Sequence, residues 1–133
     1  MLKVLGIVGS PHNHGNTAFL VENSLDVIKK EDDFEVELIT LGDKNINYCI
    51  GCDECKKTNK CIIDDDMQSL YPLILDADGI VIVSPVHCGG VSSYIKMVME
   101  RTRALEAISL DVLKGKVGMG VAIGGDRVGG QEL

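Results

Sequence analysis

Short apolar runs alternate along this chain with stretches in which apolar residues recur at helical spacing. The runs at residues 2–8 and 80–83 are almost wholly apolar, which predicts strands buried on both faces of a parallel sheet. Residues 34–40 alternate between apolar and polar, a pattern that predicts a strand at a sheet edge. A fourth strand is predicted within residues 113–123.

Three amphipathic segments separate these strands and predict helices. The first runs from Thr17 to about Lys30, the second follows the predicted caps Asp64-Asp65-Asp66, and the third follows the strand at 80–83. Their apolar stripes are Leu20, Val21, Leu25 and Ile28; Met67, Leu70, Tyr71 and Ile74; and Val91, Ile95, Val98, Met99 and Thr102.

The order of elements, β-α-β-loop-α-β-α-β, predicts an α/β fold with a doubly wound parallel sheet. Residues 1–133 form a single domain in this interpretation. Only loop chemistry follows the fourth strand, so the last strand has a bare edge. Either a partner covers that edge or the sheet is truncated because the chain is part of a longer protein, and we favour truncation.

Composition narrows the range of functions. The 13 basic and 20 acidic residues give a net charge of −7, which disfavours nucleic acid and anionic membranes as partners. We find no apolar run of the roughly 18 residues that a membrane span needs, and no signal-peptide pattern at residues 1–7. Five cysteines in such a chain indicate a reducing, cytoplasmic compartment, where clustered thiols more often serve metal binding or catalysis than disulfides.

The loop after the first strand opens a helix, and in doubly wound folds this is where phosphate binds to free backbone amides. Ser10, Asn16 and Thr17 offer side-chain donors, Gly15 allows close approach, and His12 is a lesser candidate for a phosphate contact. The loop lacks the glycine spacing of a dinucleotide fingerprint and the Gly-Lys-Thr/Ser of a P-loop. The alternative is a plain turn before a capped helix.

Two further loops are expected at the same edge of the sheet. In a strand order 2-1-3-4 the loop at 84–90 faces the first loop across the switch point, and the loop at 124–130 follows the fourth strand. Together they favour a mononucleotide site. His87 could stack on a planar ring or supply a proton, or it could be a surface histidine. Cys88 is interpreted as a small, semi-buried residue in preference to a redox group.

A cysteine-rich loop at residues 47–63 contains the most informative motif, Cys-x2-Cys-x2-Cys-x5-Cys. Cys49, Cys52, Cys55 and Cys61 offer soft thiolates, which select iron–sulfur clusters, zinc or Cu(I). The compact run is closer to a [4Fe–4S] motif than to the separated pairs of structural zinc sites, and free thiols without metal are the remaining alternative. Lysines at 56, 57 and 60 would offset the charge of a cluster and could steer an acidic redox partner.

With these motifs in view, the whole chain resembles the iron–sulfur flavoproteins, within the flavodoxin-like NADPH-dependent FMN reductases. The resemblance rests on Gly9-Ser10-Pro11 with Gly15-Asn16-Thr17, the cysteine run into Asp64-Asp65-Asp66-Met67, Ser84-Pro85-Val86, Lys96 to Arg101, and Gly124-Gly125 with Gly129-Gly130-Gln131-Glu132.

This resemblance implies a flavodoxin-like fold, FMN, a [4Fe–4S] cluster, and a homodimer or tetramer in which the cluster lies near the FMN of a neighbouring subunit. Ser10, Asn16 and Thr17 would hold the FMN phosphate, and the four cysteines would ligate iron. The residues that would border the flavin ring are Pro85, Val86, His87, Gly89, Gly124 and Gly125. The chain departs from the family in having His12 where arginine is usual and His87 where tyrosine is usual, and relatives continue for a further helix, strand and helix.

The function that the resemblance implies is electron transfer by FMN and a [4Fe–4S] cluster, from a ferredoxin-like donor to small acceptors such as oxygen species or quinone-like molecules. The first alternative is an NAD(P)H-dependent FMN or quinone reductase without a cluster. The second is a zinc-stapled interaction module without catalytic activity.

Overall fold

The computed structural model describes residues 1–125, and it contains the predicted order of strands and helices. Within that range the elements are β1 (Leu2–Val8), α1 (Asn16–Lys29), β2 (Phe34–Thr40), α2 (Glu54–Thr58), α3 (Met67–Asp76), β3 (Gly79–His87), β4 (Gly90–Val91), α4 (Ser93–Arg101), α5 (Arg103–Glu106) and β5 (Val117–Ile123).

The long strands form a parallel sheet in the order β2-β1-β3-β5, which confirms the predicted 2-1-3-4 arrangement. Register places Val8 beside Val83, and Pro85 beside Ile123, so the carboxyl ends of β1, β3 and β5 meet at one edge. The two-residue strand β4 is antiparallel to the end of β3. This edge of the sheet is where doubly wound folds hold their ligands.

Helices cover both faces of the sheet, as the pattern predicts. Helix α1 packs Val21 and Leu25 against Val8 and Val83 on one face. Helices α3 and α4 bury the other face, and their fully buried apolar residues are Met67, Leu70, Ile74, Ile95 and Val98. The prediction for Leu20 was wrong: its side chain is 51% exposed, because Thr17, Ala18, Val21 and Leu25 form the buried face of α1.

Several boundaries differ from the prediction. Strand β3 continues beyond Val83 to His87, because its end pairs with β4 in a hairpin. Val91 therefore lies in β4 and not in the third helix, and Met99 is half-exposed. Strand β5 starts only at Val117, since residues 110–115 form turns that include Gly115 at φ +83°.

Strand β5 forms the outer edge of the sheet within residues 1–125, where its strand partner is β3. Val117 and Met119 on this strand are exposed. In the described part of the chain, no helix has both the length and the apolarity to cross a membrane. The motif residues 126–130, Gln131 and Glu132 lie outside the described residues.

Candidate functional site

The loop between β1 and α1 presents the start of a helix at the carboxyl edge of the sheet. Gly15 is the N-cap and has no side chain with which to cap, and the first turn of α1 carries no acidic residue. The loop is folded by two hydrogen bonds, from His12 N–H to Ser10 Oγ (3.1 Å) and from Gly15 N–H to the His12 carbonyl (3.3 Å). An uncapped N-terminus of a 14-residue helix suits an anion, because its amides and its dipole both favour negative charge.

The side chains predicted for this loop differ in their accessibility. Asn16 and His12 are exposed at the start of the helix and in the loop, whereas Ser10 and Thr17 are buried. Asn13, which the sequence analysis did not single out, buries its Oδ1 atom beside Gly42, where a Cβ atom would lie only 2.5 Å from it. The loop is therefore packed against the end of β2 as well as against α1.

A network of buried hydroxyls joins the first loop to the end of β3. Ser92, the N-cap of α4, donates its hydroxyl to the Gly9 carbonyl (2.6 Å), and its N–H donates to Ser84 Oγ (2.8 Å). A Cβ on Gly9 would lie 2.2 Å from Ile95 Cγ1, so only glycine fits at this contact between β1 and α4. Ser92 was not predicted from the sequence, where the only signal for it was a serine three residues before the buried Ile95.

The residues predicted as a loop after the third strand are mostly a β-hairpin. Pro85, Val86 and His87 belong to β3, and Val86 pairs with Val91. Cys88 and Gly89 form the tip, both with positive φ (50° and 72°), as in a type I′ turn. The hairpin leaves His87, Cys88 and Gly89 exposed, so the prediction of a semi-buried Cys88 was wrong.

Gly124 and Gly125 follow β5 directly and are exposed. Because Ile123 is in register with Pro85, these glycines begin beside the hairpin and at the same edge as the first loop. The structure therefore brings the first loop, the hairpin and the start of the third predicted loop (Gly124 and Gly125) to one edge of the sheet.

The cysteine loop brings its four cysteines to one pocket. Cys49, Cys52, Cys55 and Cys61 all line it, together with apolar side chains of Ile50, Ile62, Ile63 and Ala104. Left-handed backbone at Gly51 (φ +67°) and Asp53 (φ +59°) turns the chain between the first three cysteines, and the short helix α2 carries Cys55. Cys52 is exposed and the other three are partly buried, and all are free thiols.

Within residues 1–125 the four thiols share a pocket but are not already gathered as the ligands of one metal ion. Among residues 1–125, no three His, Cys, Asp or Glu side chains lie close enough together to hold a single ion. Thiolates around one tetrahedral zinc lie about 3.8 Å apart, since each sulfur is about 2.3 Å from the metal.

A buried ion pair closes the base of the cysteine loop. The side chains of Arg101 and Asp65 are each 1% exposed, and they form a two-pronged pair with distances of 2.6 Å and 3.0 Å. Arg101 also donates to the carbonyls of Asn47 (3.0 Å) and Ile63 (3.4 Å), on opposite stems of the loop. The Arg101 Nε atom is buried and has no partner in the described part of the chain.

The ion pair shifts the titration of both partners. Burial alone would raise the pKa of Asp65, but hydrogen bonds from Arg101, Asn47 and Met67 outweigh it and lower that pKa to about 2. Burial lowers the pKa of Arg101 and the bond to Asp65 raises it, with a net rise. Burial also raises the pKa of Tyr71, whose hydroxyl donates to the Arg101 carbonyl, to about 12.

Asp64-Asp65-Asp66 were predicted to cap a helix, and for Asp65 this is only part of its role. Asp65 does accept the Met67 N–H (3.0 Å), yet its other partners are Arg101 and Asn47. From the sequence, Arg101 had no predicted role of its own beyond the motif from Lys96 to Arg101. Yet it lies three residues after Val98 and continues the buried stripe of α4. An arginine that continues an apolar stripe was the signal for a buried partner.

The lysines of the loop are less available than predicted. Lys56 pairs with Asp53 (3.3 Å), and Lys57 pairs with Glu54 (2.7 Å), both within α2 and its cap. Asp53 also binds Arg103 (2.5 Å). These carboxylates cancel much of the positive charge that the sequence suggested for this surface.

Comparison with known proteins agrees with this fold and cysteine pattern. The profile of the NADPH-dependent FMN reductase family matches residues 2–133. An iron-sulfur flavoprotein of Archaeoglobus fulgidus is 48% identical over 98% of this chain and 66% of its own length, and one of Methanosarcina thermophila is 34% identical over 98% of this chain and 68% of its own. A solved flavone reductase matches with a TM-score of 0.70 and 23% identity over 95% of this chain and 44% of its own, which shows the shared fold.

The chain thus spans about two thirds (66%) of the length of the first curated relatives that it matches. From the strand order, the loops at the carboxyl edge, the cysteine motif and these matches, we conclude that the chain belongs to the iron–sulfur flavoproteins of the flavodoxin-like NADPH-dependent FMN reductase family.

Proposed function

We propose that this protein is an electron-transfer flavoprotein that holds FMN at the carboxyl edge of its sheet and a [4Fe–4S] cluster in the cysteine loop. Electrons would pass between a ferredoxin-like donor and a small-molecule acceptor, in a homodimer or tetramer. The observation that carries the proposal is the convergence of Cys49, Cys52, Cys55 and Cys61 on one pocket.

The donor set supports a cluster rather than zinc. Four cysteine thiols in one pocket match the soft ligands of iron–sulfur sites. The compact Cys-x2-Cys-x2-Cys-x5-Cys spacing is closer to a [4Fe–4S] motif than to the separated cysteine pairs of the zinc-stapled alternative. The guanidinium of Arg101 in the same pocket would partly balance the negative charge of a thiolate-bound cluster.

The first loop supports a bound phosphate. Helix α1 begins without a side-chain cap at Gly15, directly after the loop that leaves β1 at the carboxyl edge of the sheet. Ser10, Asn16 and Thr17, with His12 and Gly15, would hold the FMN phosphate. Pro85, Val86, His87 and Gly89 of the hairpin, with Gly124 and Gly125, would border the flavin ring.

The two groups would supply different chemistry when bound: the flavin handles two-electron steps and the cluster handles one-electron steps. The protein's own residues orient and shield them. The network of Ser84, Ser92 and Gly9 fixes the first loop against the hairpin. The exposed hairpin tip with His87 leaves one side of the proposed flavin site open to a substrate.

The family description favours a second candidate, an NAD(P)H-dependent FMN or quinone reductase that uses the flavin alone. In that case the cysteine loop would be structural or redox-sensing. Steady hydride uptake from NADPH by iron-free protein would favour this candidate over the cluster-dependent one.

Cofactor content of anaerobically purified protein tests the proposal. We expect FMN together with about four iron and four sulfide per chain, by absorption and by chemical analysis. Cys61→Ser should lose the cluster while Cys88→Ser, at the exposed hairpin tip, should retain it.

Other outcomes would reject the proposal in distinct ways. FMN without iron would leave the simple flavin reductase ahead. Zinc without flavin would support the interaction module. Equal iron loss in the two cysteine variants would mean that the cluster does not bind in the proposed pocket.

A further inference from the structure

Arg101 occupies an unusual place, because it is a fully buried arginine at the base of an otherwise solvent-facing loop. It is the last residue of α4, and its side chain is 1% exposed. One stem of the cysteine loop passes at Asn47, two residues before the first cysteine, and the other at Ile63, two residues after the last. Arg101 donates to the backbone carbonyl of each stem, at 3.0 Å and 3.4 Å.

Asp65 completes this connection from the second stem. Its carboxylate accepts hydrogen bonds from both Nη groups of Arg101, at 2.6 Å and 3.0 Å. It also accepts hydrogen bonds from the Asn47 N–H (2.9 Å) and from the Asn47 side-chain amide (3.2 Å). Separation of the Asn47 stem would break its bonds to Arg101 and Asp65, and separation of the Asp65 stem from Arg101 would also leave a buried charge unpaired, which is strongly unfavourable. Gln68 adds bonds to the carbonyls of Ile63 and Cys61.

The same guanidinium borders the thiol pocket. Arg101 lines the pocket with the four cysteines, and it binds the Ile63 carbonyl two residues after Cys61. Arg101 offsets the buried negative charge of Asp65, which would otherwise stand uncompensated near the pocket. The guanidinium therefore favours the more negative state of any group that the thiolates hold.

We propose that Arg101 is the positioning residue of the cysteine loop: it fixes both stems so that the four thiols converge before a cofactor binds, and its charge tunes the bound group. The first half of this inference concerns the protein alone, and the second half rests on the proposed cluster.

Arg101→Gln tests the inference, because it removes the positive charge and most of the hydrogen bonds that the two Nη groups donate. Arg101→Lys keeps the charge but cannot bind both stems and Asp65 at once. Arg103→Gln is the matched control, since Arg103 lines the same pocket but is 41% exposed in its pair with Asp53. If Arg101→Gln fails to fold, the double variant with Asp65→Asn replaces it, because it leaves no buried charge.

Two kinds of measurement test the two halves of the inference separately: trypsin cleavage reports on the stems of the loop, and iron loss and midpoint potential report on the bound group. In cluster-free protein, trypsin should cut at the lysines of the loop about tenfold faster in Arg101→Gln than in wild type. In cluster-loaded protein, loss of iron to a chelator should be about 10–100-fold faster, as for other outer-shell partners of metal sites. The midpoint potential of the cluster should become more negative in Arg101→Gln and remain near wild type in Arg101→Lys.

The outcomes separate this inference from the proposed function. Wild-type protein that binds no cluster would reject the proposed function, while the trypsin comparison would still decide on Arg101. Unchanged cleavage and iron loss in Arg101→Gln, or in its double variant if that is used, would overturn the inference. So would equal effects of Arg103→Gln, or a potential that shifts as far in Arg101→Lys as in Arg101→Gln.

Discussion

Two loops leave neighbouring strands of the sheet, and different forces hold them. The loop between β1 and α1 is short and is fixed by neutral contacts, through Gly9 against Ile95 and through the hydroxyl of Ser92. The cysteine loop between β2 and α3 is long, and the buried pair of Arg101 and Asp65 fixes its stems. One loop relies on close packing and the other relies on charge.

The difference follows from what each loop can bury. The entropy cost of closing a loop grows with its length, and the cysteine loop has little core of its own to offset that cost. Tyr48, Ile50 and Ile62 within it are all exposed. A charge-assisted, two-pronged bond provides directional stabilisation where apolar contacts are few. A long loop built to bind a cofactor therefore needs an anchor at its base.

The largest effect is expected at that anchor. Arg101→Met should lower the free energy of unfolding by about 3–5 kcal/mol, because it leaves Asp65 buried without its charge partner. Urea unfolding monitored by circular dichroism measures this change. Arg103→Met is the control, and removal of its half-exposed pair with Asp53 should cost only about 0–1 kcal/mol. Similar losses in the two variants would contradict the distinction between buried and surface charge.

A smaller effect is expected in the first loop. Gly9→Ala should cost about 3 kcal/mol, because the new Cβ would lie 2.2 Å from the side chain of Ile95, which is itself buried. Urea unfolding of Gly118→Ala provides the matched control, since among the described residues nothing lies within 4 Å of a Cβ there. A cost no larger than that of Gly118→Ala would show that the loop is looser than the packing indicates.

The smallest effect is expected in the pH dependence of the free energy of unfolding. The pKa of Asp65 falls from an ordinary value of 3.8 to about 2 on folding. A lowered folded pKa gives stabilisation that is present above pH 4 and is lost as the pH falls towards 2, about 2 kcal/mol in all. Wild type should therefore lose that much more unfolding free energy between pH 4 and pH 2 than Asp65→Asn. If the unfolding free energies of the two proteins changed in parallel with pH, Asp65 would not be the source of this acid-dependent loss of stability.

The sequence alone was enough to predict the order of the strands and helices and the parallel sheet. Apolar runs such as residues 2–8 and 80–83 have no polar face, so they must be buried on both sides of a sheet. The spacing of the cysteines is part of the sequence itself, and it limits the chemistry of their loop to binding soft metals or to free thiols. Neither conclusion depends on contacts between distant residues.

Tertiary structure decided what depends on such contacts. The pairing of β4 with β3 placed His87 and Cys88 on an exposed hairpin, and the buried position of Arg101 became visible only when α4 met the stems of the cysteine loop. Local patterns carry the period of a helix or strand, because that period is set by neighbouring residues. A salt bridge between residues 65 and 101 leaves no such period in the sequence, because burial and partner are set by the packing of the whole chain.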